Sequence, residues 1–364
     1  MKNKDSSCIV FLKNENDGSS YYRLYQYLNN CRIINMTPSR VYKFYYNLKK
    51  SGKFMRILMG VITLANVMIA MLIDSLIWRS QTIIINRRFF PRSCPKLIAY
   101  FLERYLKNKK VYWDFDDNII SDGEISIREA GILEKYAKSI IVTNEHLAKT
   151  ISSQYRHKVR FLPTTDCEFE TCNIDEIINE KKAEIAKELR LCWVGTRDNL
   201  KYLYEIIPVL DETAKYCNEN FKKKVLLKVV ANKDLEAEYK NLIIENIPWS
   251  RKRAARIIKE SHIGLMPLKD SDYNRGKGGF KAIQYMSAAT LPLVSKVGYN
   301  VNVLSDGESG FFCNKSSDWK EKIIFISENT DIWERISREA RKSWENKFSP
   351  KKVREYWNKV MEGN

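Results

Sequence analysis

The chain has 364 residues, 44% apolar and 29% charged, a globular balance that excludes a disordered polypeptide. Lys and Arg number 62 against 44 Asp and Glu, a net charge of +18 that points to polyanionic partners (nucleic acid, an anionic membrane, phosphorylated ligands), with a Lys-rich proteome as the plain alternative. Eight cysteines form no CxxC pair and His146, His157 and His262 are scattered, which argues against a disulfide framework and a zinc enzyme and fits a reducing cytoplasm.

At roughly 150 residues per domain, the length predicts two domains. Residues 8–12 (CIVFL) read as a strand, 20–30 (SYYRLYQYLNN) as a helix and 31–36 as a strand. The next segment, KKSGKFMRILMGVITLANVMIAMLIDSLIW, carries no charge from Ile57 to Ile73, 17 residues, against about 20 for a spanning helix. Lys49, Lys50, Lys53 and Arg56 precede it. Three readings stand: a covered core helix, a helix lying in the cytoplasmic leaflet, and a membrane span. Strands follow at 81–89, 110–117, 139–144 and 159–164, with helices at Pro95–Leu106 and 124–137. The patternless stretch 167–187 reads as a linker between an N-terminal domain, 1–166, and a C-terminal one, 188–335. The latter contains strands at 189–195, 225–231, 243–249, 262–268 and 291–296, helices at 199–218, 250–261 and 279–289, and a last short strand at 310–313. Residues 336–364 are expected as C-terminal helices that cross back to the first domain. Alternation of strand and helix in two blocks predicts an α/β chain with two Rossmann-like domains, ligands binding at the carboxyl ends of the strands in a cleft between them.

The stretch 274–292, NRGKGGFKAIQYMSAATLP, places Lys277, Gly278, Gly279 and Lys281 where a helix begins. Helix-start amides, small backbone and two cations make an anion site; a glycine loop with solvated lysines is the ordinary alternative. Gly195, Thr196 and Arg197 follow the first strand of the second half. They form either a turn beneath a phosphate group, with Arg197 as a forked donor, or a plain strand-to-helix turn. Lys201 and Lys233 are weaker candidates.

The order HIGLMPL, KGGFKAIQYMSAATLPLV, GYN, DGESGFF resembles the donor-binding half of glycosyltransferases with the GT-B fold, above all the retaining family 4 group. Pro267–Leu268, Phe280–Met286, Pro292–Val294 and Asp306–Phe311 carry the likeness. LCWVGTRDNLKYL extends it, and WDFDDNI and SIIVTNEHLAKTI do so more weakly, so that it spans roughly residues 110–314. The group has two glutamates eight positions apart; here Gly276 and Gln284 stand in their places, and Gln284 retains the capacity to bond a ribose hydroxyl. The resemblance implies GT-B domains facing across a cleft. It also implies a nucleoside diphosphate sugar bound by Gly195, Thr196, Arg197, Lys277, Gly279, Phe280, Lys281 and Gln284. Transfer would retain configuration without a metal or other cofactor, the acceptor being a glycan or lipid-linked chain of a surface polysaccharide or lipopolysaccharide. Asp116 or Asp117, which as neighbours cannot both face the cleft, is the expected acceptor-side catalytic residue, with turn capping as the alternative role, and Gly18, Ser19 and Arg23 are the expected N-domain cleft loop. The enzyme is expected in the cytoplasm, peripheral on the membrane's inner face, and without a nucleic-acid partner, because the lysines are dispersed and no recognition module is present. A non-catalytic nucleotide- or glycan-binding protein and a basic nucleic-acid-binding protein are the competing readings.

Overall fold

β1 (Cys8–Leu12), β3 (Thr82–Asn86) and β4 (Lys110–Asp114) are short runs rich in Ile, Val and aromatic side chains, buried almost throughout. That is how strands of a parallel sheet read when helices cover both faces. The computed structural model describes residues 7–29, 31–47, 52–90, 92–237 and 239–362, without the side chains of 45–47, 53 and 56. Residues 1–6 of the expected first domain, Asn30, Lys49 and Lys50, the side chains of Lys53 and Arg56, and the last two residues of the expected C-terminal helices lie outside the described residues.

Two units make up the chain: residues 1–164 with Gly276–Gly278 and Lys351–Asn364, and Thr165–Arg275 with Gly279–Pro350. In the first, β2 (Arg32–Asn35), β5 (Ala137–Val142) and β6 (Val159–Phe161) complete a six-stranded parallel sheet of order β2-β1-β3-β4-β5-β6. Register is fixed by pairs such as Val10↔Ile84 and Ile85↔Trp113. Its helices are α1 (Gly18–Arg23), α2 (Ser39–Asn47), α3 (Lys53–Ile73), α4 (Lys96–Leu106), α5 (Ile127–Tyr136) and α6 (Glu145–Lys149). The second unit has β7 (Glu188–Val194), β8 (Lys224–Ala231), β9 (Ile243–Pro248), β10 (Ile263–Met266), β11 (Leu291–Val294) and β12 (Phe311–Phe312), in the order β12-β11-β10-β7-β8-β9. Its helices are α7 (Ile174–Ile185), α8 (Leu200–Tyr204), α9 (Ile207–Phe221), α10 (Arg251–Glu260), α11 (Asp272–Arg275), α12 (Phe280–Ser287), α13 (Asn300–Val303), α14 (Ser316–Glu328) and α15 (Thr330–Lys347); α16 (Pro350–Met361) returns the chain to the first unit.

Each sheet has one point where strand order reverses, between β1 and β3 and between β7 and β10. The helices diverge to opposite faces there, which leaves a crevice at the carboxyl ends of the two strands. In the first unit those ends lead into Lys13–Asn14 and Asn86–Arg87; in the second, into Gly195 and Pro267.

Two expectations need correction, and one of three open readings falls away. The 167–187 stretch contains α7, capped by Asn173 and anchored in the second unit by buried Ile177, Ile178, Lys181 and Ile185. The helix expected at 20–30 ends at Arg23 and gives way to a 3-10 turn at Tyr25–Tyr27. The long apolar helix α3 is not a covered core helix. It runs on through a π turn (Asp74–Trp78), and only five residues of Ile57–Trp78 are buried: Thr63, Val67, Ala70, Met71 and Asp74.

Candidate functional site

The second unit builds a cationic turn at its strand-order reversal. β7 delivers Trp193 and Gly195 to the carboxyl edge; β10 leads through α11 to α12. Gly279 caps α12 with φ +68°, a left-handed conformation that disfavours any side chain, and a Cβ there would also meet Val303 at 2.6 Å. The first bond of the helix is Ile283 N donating to Gly279 O at 3.1 Å, so the amides of the first turn point out along the axis. Lys281 lies with Nζ 4.1 Å over the centre of the buried Trp193 ring. A Cβ on Gly195 would sit 2.7 Å from that Nζ and 2.6 Å from the indole. Gly195 and Lys281, far apart in sequence, therefore share one spot, and the glycine is what allows it. The indole face stabilises the ammonium and fixes its place.

Two buried side chains hold α12 in position, and a third steadies one of them. Tyr285 lays its ring on Gly264 of β10, where a Cβ would meet the ring at 2.3 Å, and donates from Oη to Leu265 O at 3.0 Å. Lys181 of α7 sends Nζ to Ala288 O, Ala289 O and Thr290 Oγ1 at 3.0, 3.1 and 2.8 Å, closing the carboxyl end of α12, where Ala289 takes φ +48°. Burial pushes the Lys181 pKa down to about 7, while three acceptors around one nitrogen are the arrangement an ammonium requires. His262 accepts from Arg190 N at Nδ1 (2.8 Å) and so donates from Nε2 to Lys181 O (3.0 Å). Burial lowers its pKa to about 3, and the ring is neutral and structural. Replacing Lys181 with Met leaves those helix-end oxygens without their donor. The expected loss is about 1–3 kcal/mol of stability by urea unfolding, and an unchanged midpoint contradicts the role.

Gln284 is buried and donates from Nε2 to Asp166 Oδ2 at 2.8 Å; burial raises the Asp166 pKa, opposed by that bond. Its Nε2 is thus engaged inside the unit. Thr196 and Arg197 are exposed. Arg197 opens a 3-10 turn, with its N–H on Asn232 Oδ1 at 2.9 Å and its Nε 3.5 Å from Asp198. Phe280 and Lys277 are half-buried. Lys277 lies in Gly276–Gly278, which packs with the first unit: Asn144 Nδ2 donates to Gly276 O at 2.9 Å, and a Cβ on Gly278 would meet Thr143 at 2.9 Å. Lys201 stands over Tyr202 and Lys233 beside Glu236, both solvent-side positions.

The first unit gathers charge at the same kind of edge. Arg87, at φ +66° just past β3, is a hub. Its Nη1 donates to Asp116 Oδ1 (3.0 Å) and Asp117 Oδ2 (2.8 Å), its Nη2 and Nε to the two oxygens of Glu124 (2.6 and 3.2 Å). Burial opposes charge on Glu124, but this fork brings its pKa down to about 2. Asp116 differs: burial and the neighbouring Asp117 raise it to about 6, against the pull of Arg87, Arg23 and a 2.6 Å bond from Ser19 Oγ. Both donors use Oδ1, and Oδ2 of Asp116 accepts no hydrogen bond among the described residues. Gly18 begins α1, which Asp17 caps, and is exposed.

Arg23 corrects an expectation. It is buried, not displayed on a loop. Nε reaches Asp114 Oδ1 and Oδ2 (3.1 and 3.2 Å), Nη2 contacts Asp114 Oδ1, and Nη1 donates to Leu162 O (2.6 Å) and Thr164 Oγ1 (3.3 Å). Asn86 Nδ2 adds a bond to Asp114 Oδ2 at 3.2 Å, and Ser20 Oγ meets Asn86 Oδ1 at 2.8 Å. The pair braces the ends of β3 and β4 beneath Asp116. The sequence reading missed Trp193, Tyr285, Lys181 and Arg87, all set by contacts distant in sequence; only the RR pair directly after a β-branched strand marked Arg87.

No family model matches the sequence, and no curated protein matches it. Solved structures do. HepE of Anabaena in complex with UDP superposes with a TM-score of 0.63 at 8% identity, over 98% of this chain and 99% of its own. A glycosyltransferase from Rickettsia africae gives 0.63 at 12%, over 99% of each chain. An α,α-trehalose-phosphate synthase (UDP-forming) from Burkholderia vietnamiensis gives 0.64 at 10%, over 98% of each. At such identities the likeness is one of fold, and that fold, two Rossmann-like units built on six-stranded parallel sheets, is the GT-B fold of glycosyltransferases.

Proposed function

We propose that the protein is a retaining, metal-independent glycosyltransferase of the family 4 type, moving a sugar from a nucleoside diphosphate sugar to a glycan or lipid-linked acceptor in surface polysaccharide synthesis. The observation that carries this reading is Lys281 Nζ, fixed over Trp193 and beside Gly195 at the amino end of α12. In glycosyl transfer the C1–O bond to the diphosphate breaks as the bond from the acceptor oxygen forms, and negative charge grows on the leaving diphosphate. A cation held in advance, with helix-start amides beside it, stabilises that charge without reorganising. Gly195 and Gly279 let the diphosphate approach backbone. Arg197, exposed on the same turn, supplies a second fork. HepE is solved with UDP, which makes UDP the first nucleotide to try.

On the acceptor side, Asp116 takes the hydroxyl proton at Oδ2. With a pKa raised to about 6 it is a carboxylate at neutral pH and a stronger base than an ordinary aspartate. Only the deprotonated form works, so kcat/KM rises with pH through a limb near 6, and Asp116→Asn flattens that limb. A profile measured from pH 5 to 8 that shows the same limb in the variant removes Asp116 from the mechanism.

Gly276, where the family has a carboxylate, favours one second reading: nucleotide binding without turnover. Thermal-shift screening against UDP, GDP and ADP and their sugar conjugates tests nucleotide binding. Release of sugar or nucleotide from the stabilising conjugate then separates enzyme from binder.

A further inference from the structure

The outer face of α3 inverts the usual surface pattern. Phe54, Leu58, Val61, Ile69, Leu72 and Leu76 fall at helical spacing on one side of α3 and its π extension, and all are exposed. The stripe runs about 33 Å at 1.5 Å per residue. Every hydrogen-bonding side chain of the charge-free stretch turns inward instead. Thr63 bonds Thr37 (3.0 Å), and Asn66 Nδ2 donates to Asn35 O and Met36 O (2.8 and 3.0 Å). Beyond it, buried Asp74 accepts from Tyr105 Oη of α4 (2.9 Å) and Lys109 Nζ (2.6 Å). α4, tied to α3 by that contact, exposes Leu97, Tyr100 and Phe101 in turn.

We propose that this face of α3 and α4 is a monotopic docking surface for an anionic phospholipid bilayer. α3 does not span. It is the crossover between β2 and β3, both paired to β1, and Val67, Ala70 and Met71 are buried in the core beneath it. Removing the helix would strip the sheet of its cover. Charge selects the occupant. Residues 39–110 hold fifteen Lys and Arg against two Asp and Glu, a net +13 of the chain's +18. Lys43 of α2, Arg79 at the end of the π extension, Lys96 and Arg104 of α4 and Lys107 just past it are exposed on the elements that flank α3 in the chain. An apolar stripe flanked by cations matches acyl chains beneath anionic headgroups. A second copy would bring the same cationic flanks against itself. The plain surplus of lysine thus acquires a place and a role, and the inference stands apart from the nucleotide chemistry of the second unit.

Flotation of the full chain with phosphatidylcholine vesicles, alone and mixed with phosphatidylglycerol, tests it. The wild type floats with the anionic vesicles and less with the neutral ones. Val61→Asp/Leu72→Asp, which alters only exposed side chains and keeps the wild-type melting curve, floats about tenfold less. A second variant, Lys43→Ser/Lys96→Ser/Lys107→Ser, loses the preference for anionic lipid. The proposal is overturned if the wild type stays at the bottom with both vesicle types, or if the stripe variant floats as well as the wild type. It is also overturned if the lipid-free protein is a dimer that the stripe variant converts to monomer. Thermal shift with UDP, run on the same samples, reads the second unit separately, so either reading can fail alone.

Discussion

Lys281→Met lowers kcat by about 10²–10³, the equivalent of about 3–4 kcal/mol of transition-state stabilisation, while the fold survives. Methionine keeps the length of the stem and its packing on Trp193, so what is lost is the charge at Nζ rather than the volume under Gly195. Because charge on the diphosphate is greater in the transition state than in the bound donor, kcat falls more than KM rises. Lys281→Arg does not rescue: a planar fork is bulkier than the ammonium, and the space beside Gly195 already excludes one Cβ. Steady-state kinetics on whichever nucleotide sugar stabilises the wild type, with circular dichroism as a fold check, reads both variants. Wild-type turnover in Lys281→Met contradicts the assignment of the leaving-group site.

Arg23→Met is the costliest expected change to stability, about 3–5 kcal/mol. The Asp114 carboxylate has no solvent exposure; once the guanidinium is gone, its one remaining side-chain donor among the described residues is the amide of Asn86, and Leu162 O loses its donor too. Removing both charges avoids the orphan, so Arg23→Met/Asp114→Leu recovers part of the loss. Urea unfolding of the two variants and the wild type gives the comparison. A single variant within about 1 kcal/mol of wild type would mean that the buried pair does not brace this edge.

Much of the fold was legible because its strands are short β-branched runs between turn residues: IVFL, TIIIN and LCWV read as strands without any tertiary knowledge. Helix α7 was hidden because its stripe, Ile177, Ile178, Lys181 and Ile185, contains a lysine, and a buried lysine reads as a surface one until its three acceptors are seen. The glycine turn before α12 is legible through Gly278, Gly279 and Lys281. Its fixation by Trp193 and Tyr285 did not, since a tryptophan in a strand reads only as core. Arg23 failed in the opposite direction: a basic residue after a glycine loop suggests a ligand, yet its partner, Asp114, stands 91 positions on. The apolar helix admits three readings from sequence because its composition is nearly uniform. What separates them is which side its few polar residues face, and that is a property of packing.

The account rests on a diphosphate seated at the start of α12. Isothermal titration of the wild type and Lys281→Met with UDP, GDP and ADP, followed by a crystal of the best complex, tests it most directly. The predicted result is saturable binding of at least one nucleoside diphosphate, weakened in the variant, with phosphate oxygens on Lys281 Nζ and the amides of residues 279–281. Failure of all three to bind, or a diphosphate bound elsewhere with equal affinity for both proteins, would contradict it.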